Sequence, residues 1–177
     1  MDRTTRRYLI SFIDLAGFAR AAELVDDTTL ATRLDTYYEL VADTVERAGG
    51  TVVKWIGDGA LLVFPPDRGD AAVRALLELR DAVADACARD GWHVALTVRV
   101  HAGEVVCGTF GARTDKRFDV IGGEVNLTAR LPTKSFAISA EAFRTLTPDG
   151  RALFKKHTSP ITYIPIGDRR PSPMQKL

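Results

Sequence analysis

Asp14 closes an apolar run that starts at Tyr8, and Asp58 stands between two apolar runs in VVKWIGDGALLVF, residues 52–64. A carboxylate at a strand end and one in a hairpin turn can converge at a sheet edge. There they repel each other unless a cation lies between them. Oxygen ligands of this kind suit Mg²⁺ or Mn²⁺. Each aspartate alone also reads as a turn or capping residue, since Asp-Gly is a common hairpin turn; together they favour the metal. Leu15, Ala16, Gly17 and Phe18 follow the first aspartate. Small residues let an anion approach backbone N–H groups, so this turn is a candidate phosphate cradle. A tight turn that needs Gly17 explains the same residues. Asn126 and Arg130 are spaced i and i+4, hence on one helix face. An amide beside a guanidinium suits phosphate and ribose oxygens, although a solvated helix face has the same pattern. No second ligand or nucleophile pairs with His101, so a structural role is expected for it. Lys54 lies inside an apolar run, a costly place unless it is exposed or has a partner.

The elements that must position these residues follow from periodicity. Tyr8–Asp14 reads as a strand buried on both faces. A short helix is expected after Gly17, and a longer one over 28–48, with Leu30, Leu34, Tyr37, Val41 and Val45 at helical spacing and Gly49-Gly50 as its stop. Residues 51–56 and 60–64 form a hairpin around Asp58-Gly59, ended by Pro65-Pro66. A second long helix covers 70–89. Residues 93–106 alternate as a strand. GTFGARTDKR, 108–117, reads as a mobile polar loop, and 118–121 as a short extended piece. A two-turn helix spans 124–131 and stops at Pro132. Short strands are expected near 136–139 and 162–166, and a disordered tail over 168–177. The order β-α-α-β-β-α-β is a ferredoxin-like or palm pattern: an α+β fold with an antiparallel-containing sheet covered by helices and extra C-terminal strands. One domain over 1–167 is expected. The hairpin then lies beside the first strand, and Asp14 and Asp58 meet.

Composition bounds the partners. The 177 residues carry a formal net charge of +1, which gives no bulk electrostatic attraction to nucleic acid or to a membrane surface. No apolar run reaches about 18 residues, the length of a membrane span, and no secretory signal is expected. The two cysteines, Cys87 and Cys107, have no metal-ligand spacing, so a reducing, cytoplasmic setting is the simplest expectation.

Four stretches together resemble the class III nucleotidyl cyclase catalytic domain, adenylate type. FIDLAGF (12–18) resembles the family's F-x-D-I/L-x-G-F segment, and VVKWIGDGALLVF its K-x-x-G-D hairpin. VHAGEVVCGTFG resembles its H-x-G-x-x-x-x-G-x-x-G strand, and FDVIGGEVNLTARL its D-x-x-G-x-x-V-N-x-x-x-R segment. The resemblance implies roles. Asp14 and Asp58 match the metal-binding aspartates, and the backbone of Leu15 to Phe18 the triphosphate turn. Lys54 and Asp119 match the purine-reading pair in its adenine-reading form. Asn126 matches the residue that orients the ribose, and Arg130 the one that stabilises the transition state.

It also implies a head-to-tail homodimer. One protomer supplies the metal aspartates and the other supplies Lys54, Asp119, Asn126 and Arg130. Lys54 would then meet Asp119 and the base only when dimer and substrate are assembled. Two Mg²⁺ or Mn²⁺ ions per site, about 4 Å apart, would serve in-line attack of the ribose 3′-hydroxyl on the α-phosphate of ATP. The products would be 3′,5′-cyclic AMP and pyrophosphate. Little sequence precedes the first strand, so input is expected from dimerisation, a separate regulatory protein or a small-molecule activator, or regulation is absent. The family's Pro-Gly after the arginine and its G-x-x-x-x-K-G stretch are absent. Lys155 or Lys156 could replace the latter's lysine, or both are surface lysines. A non-catalytic nucleotide-binding regulatory module is the alternative. A diguanylate-cyclase relative is less favoured, because Gly122-Gly123-Glu124 precedes a helix and does not occupy the central hairpin turn.

Overall fold

The computed structural model describes residues 3–158 and 160–168. The chain runs β1 (Thr4–Ala16), α1 (Phe18–Ala22), α2 (Asp27–Arg47), β2 (Thr51–Ile56), β3 (Gly59–Phe64), α3 (Gly69–Arg89), β4 (Ala95–Ala112), β5 (Asp115–Ile121), α4 (Gly123–Ala129), β6 (Phe136–Ile138), α5 (Ala140–Thr145), α6 (Pro148–Arg151), β7 (Phe154–His157) and β8 (Thr162–Pro165). The strands form one mixed sheet in the order β2-β3-β1-β4-β6-β8-β7, and β5 pairs with β4 off that path. This is the α+β architecture expected from the sequence.

Alternation along the strands divides the molecule into two layers. Leu9, Ile13, Leu62, Phe64, Val98 and Val100 face the two long helices, which present Tyr37, Val41 and Val45 from α2 and Val73, Leu76 and Val83 from α3. Each such fully buried side chain contributes ~1.5–3 kcal/mol. Asp26 starts α2 by accepting from the N–H groups of Thr28 and Thr29 at 3.1 and 3.0 Å, and Gly49, at φ +79°, ends it. The opposite face is covered far less. There Ile10, Leu61, Val63, Val105, Cys107 and Val120 form a second, smaller cluster, with Val125 of α4 against it.

Several expectations are corrected. Residues 108–117 are no loop: β4 continues to Ala112 and pairs with β5 from Val106↔Ile121 to Ala112↔Asp115. The glycines there serve close approach. At Gly111, φ +129°, a Cβ would stand 2.5 Å from the Asp115 carbonyl oxygen. The central hairpin turns at Gly57-Asp58, one residue earlier than expected, because Ile56 pairs with Gly59. The sequence reading missed α5, α6 and β7, although Ser139 caps α5 by accepting from the Ala142 N–H at 3.1 Å. Asp168, placed in the disordered tail, accepts from Arg80 Nη1 at 2.9 and 3.1 Å and from Ser135 Oγ at 3.2 Å. The rest of that tail lies outside the described residues. No described helix is long and apolar enough to cross a membrane.

Candidate active site

The end of β1 and the hairpin turn meet as their strand order requires. Ile13 pairs with Ala60, and a Cβ on Gly59 would lie 2.7 Å from the Ile13 carbonyl oxygen and 3.4 Å from Asp14 Oδ1. Only glycine allows this approach. Asp58 Oδ2 accepts from the Leu15 N–H at 3.1 Å, which holds the two carboxylates at one corner. Tyr38 of α2 braces the turn from behind, its hydroxyl donating to the Gly57 carbonyl at 2.7 Å. Partial burial and the neighbouring Asp58 push the Asp14 carboxyl above the usual aspartate range, and Arg99 opposes the shift. Burial, with both aspartates nearby, also pushes the Tyr37 hydroxyl far up. No third His, Cys, Asp or Glu joins the pair among the described residues. The donor set, two carboxylates open to solvent oxygens, fits a hard divalent cation completed by water and phosphate oxygens.

The turn after Asp14 is tight. Gly17 takes φ +86°, and a Cβ there would press to 3.2 Å on the His93 carbonyl oxygen. The Phe18 ring packs edge-on against Trp92, with centroids 6.1 Å apart. The Leu15 N–H is engaged by Asp58, so it is not free for a phosphate. Among the described residues no bond uses the N–H groups of Gly17 or Phe18, as befits a first helical turn.

Lys54 and Asp119 pair within one chain. Lys54 Nζ lies 2.7 Å from Asp119 Oδ2, with side-chain exposures of 45% and 23%. Asp119 Oδ1 accepts from the Val120 N–H at 2.8 Å. The lysine therefore has its aspartate before any partner protomer arrives, contrary to the sequence expectation. A register shift between Val52 and Lys54 sets Lys54 opposite Leu61, on the thinly covered face. An exposed ion pair is worth only ~0–1 kcal/mol, too little to explain a lysine here by stability.

Asn126 and Arg130 are exposed on α4. Arg130 is the residue that ends this helix, and its Nε donates to the Asn126 carbonyl at 3.2 Å. The side-chain amide of Asn126 makes no hydrogen bond among the described residues. No hydrogen bond or ion pair among the described residues joins this pair to Asp14 or Asp58. Lys155 and Lys156 lie on β7, which β4, β6 and β8 separate from β1. Lys155 donates to the Asp168 carbonyl at 3.3 Å, so both lysines sit on the far edge of the sheet.

Arg99 was missed in the sequence. Its Nε donates to the Leu131 carbonyl at 3.1 Å and its Nη1 to Thr97 Oγ1 at 3.5 Å, while Thr97 Oγ1 donates to the Asp14 carbonyl at 3.1 Å. This chain of bonds ties the carboxylate corner to the end of α4. The available signal was a cation alternating with Val98 and Val100 in a strand.

The family model of the adenylate and guanylate cyclase catalytic domain matches residues 3–160. The chain belongs to that family. Adenylate cyclase 2 of Rhizobium meliloti is 34% identical over 150 residues, which cover 77% of this chain and 41% of the relative. An uncharacterized protein of Mycobacterium tuberculosis is 33% identical over 130 residues, 71% of this chain and 24% of its own. The chain thus spans less than half of either relative. The crystal structure of the adenylyl cyclase CyaB from P. aeruginosa shares the fold at TM-score 0.80 and 21% identity, with 96% of this chain and 98% of that one covered. The guanylyl cyclase Cya2 does so at TM-score 0.77 and 22% identity, with 92% and 93% covered.

Proposed function

We propose that this domain is an adenylate cyclase that converts ATP to 3′,5′-cyclic AMP and pyrophosphate at sites shared by a head-to-tail homodimer. The observation that carries the substrate assignment is the Lys54–Asp119 pair, 2.7 Å across on the open face. Adenine offers a 6-amino donor and an N1 acceptor. Asp119 accepts from the first and Lys54 donates to the second. Guanine reverses both and leaves polar groups unpaired, at ~1–3 kcal/mol each.

Asp14 and Asp58 would hold two Mg²⁺ or Mn²⁺ ions. Such ions neutralise phosphate charge and lower the pKa of the attacking 3′-hydroxyl. The N–H groups of Gly17 and Phe18 receive phosphate oxygens. Asn126 orients the ribose, and Arg130, released from its own helix end, meets charge on the reacting phosphate.

The dimer reading is supported by two features. Among the described residues the Asp14–Asp58 corner has no direct hydrogen bond or ion pair to the Asn126–Arg130 pair, as expected if the two sets of residues serve different sites. Ile56, Phe118 and Leu127 are 51%, 40% and 49% exposed, and they lie on the elements that carry Lys54, Asp119 and the Asn126–Arg130 pair. Purified protein given ATP or GTP with Mn²⁺ or Mg²⁺ is the test. Cyclic AMP from ATP, at a rate per protomer that rises with protein concentration, is the expected result. Absence of any cyclic nucleotide would leave a nucleotide-binding regulatory domain instead.

A further inference from the structure

His101 does more than fill a strand position. It is 6% exposed, and both ring nitrogens are bonded. Nδ1 lies 2.8 Å from Ser139 Oγ and Nε2 lies 2.5 Å from Glu124 Oε2. Glu141 Oε2 stands 3.8 Å from Nδ1, and its Oε1 stands 3.5 Å from Arg144 Nη1 on the same helix. The sequence Ser-His-Glu resembles a hydrolytic triad, but Ser139 is 4% exposed and its oxygen also caps α5, so no substrate reaches it.

What His101 holds is α4. That helix has seven residues and a glycine N-cap with no side-chain cap bond. Isolated helices shorter than ~12–15 residues are marginal in water, so tertiary contacts must orient it. Two β4 residues do so from one face. His101 grips Glu124 in the first turn, and Arg99 grips the Leu131 carbonyl beyond the last. Gly103 lets the helix sit flat, since a Cβ there would stand 2.5 Å from Glu124 Cγ. Asn126 and Arg130 lie between these anchors.

We infer that His101, through Glu124, is a positioning residue that sets the seating of α4 and thereby the placement of Asn126 and Arg130. Its catalytic consequence rests on the cyclase reading; the seating itself does not. With a partner at each ring nitrogen, the imidazole is fixed in orientation between Ser139 and Glu124.

The test compares the wild-type chain, His101→Leu, His101→Gln and Glu124→Ala by amide hydrogen exchange and by cyclase kinetics. His101→Leu is expected to speed exchange of residues 124–130 by about tenfold or more and to leave the β1–β4 ladder unchanged. His101→Gln, which keeps a donor, recovers part of the protection. Turnover should fall by about tenfold or more in His101→Leu, with the KM for ATP within about twofold, and no further fall when the change is added to Arg130→Ala. If His101→Leu does not fold, Glu124→Ala, at a half-exposed position, carries the exchange test. Unchanged exchange in α4, or a uniform rise across the sheet, would overturn the inference. If the wild type makes no cyclic nucleotide, the cyclase reading fails and the exchange data alone decide the seating.

Discussion

Asp14 shows how one carboxylate reports on its neighbourhood. Its pKa is raised, first by partial burial and then by Asp58. A carboxyl whose folded pKa is raised contributes stability below its ordinary range and loses it as pH climbs through the raised value. Metal-free Asp14→Asn should therefore be more stable than wild type at neutral pH. The difference should shrink as pH falls through the raised Asp14 range. Because the residue is exposed, the gain is at most ~1 kcal/mol, about 2–4 °C in a chain of this size. Mg²⁺ or Mn²⁺ should raise the melting temperature of wild type and not of the variant. Differential scanning fluorimetry across pH, with and without metal, checks both signs. If Lys54 and Asp119 read the base as proposed, Lys54→Glu with Asp119→Cys should lower kcat/KM for ATP by about tenfold or more for each bond lost to the base. An unchanged ATP preference would refute the assignment of these two side chains.

At the scale of elements, the hairpin turn depends on a helix from the other layer. Tyr38 on α2 donates to the Gly57 carbonyl, and its ring lies on Trp55 with centroids 4.1 Å apart. Tyr38→Phe keeps the ring contact and removes the bond, so it should cost ~0.5–1.5 kcal/mol of stability. The larger effect is expected on metal affinity, because Asp58 follows Gly57 directly. Isothermal titration with Mn²⁺ in the presence of a non-hydrolysable ATP analogue measures it. A variant with wild-type affinity would show that the β1 contact alone holds the turn. The longest correction, β4 through β5, also belongs to this scale. Gly108 and Gly111 look like loop residues in a linear reading, but in the sheet they allow backbone and side chains of neighbouring segments to approach.

Across the whole molecule, no hydrogen bond or ion pair among the described residues joins Asp14 or Asp58 to Asn126 or Arg130. If two protomers share each site, a chain lacking the metal carboxylates and a chain lacking the arginine are complementary. Asp58→Asn and Arg130→Ala, each about 10²–10³-fold slow alone, should regain activity when mixed. Random pairing yields half heterodimers with one intact site of two, about a quarter of the wild-type rate. A mixture no more active than its components would show that a single protomer completes the site.

Periodicity and turn chemistry in the sequence determined the two long amphipathic helices, the central hairpin and the meeting of Asp14 with Asp58, because these depend on contacts close along the chain or on strand order alone. The spacing of Asn126 and Arg130 likewise fixed a shared helix face. The family resemblance paired Lys54 with Asp119, but only the tertiary structure joined them within one chain and supplied the partners of His101. These partners, Asp119 for Lys54 and Ser139 and Glu124 for His101, lie 65, 38 and 23 residues away, and no local periodicity encodes such pairing. The same holds for Arg99, whose position in an apolar strand becomes meaningful only once α4 is folded against it.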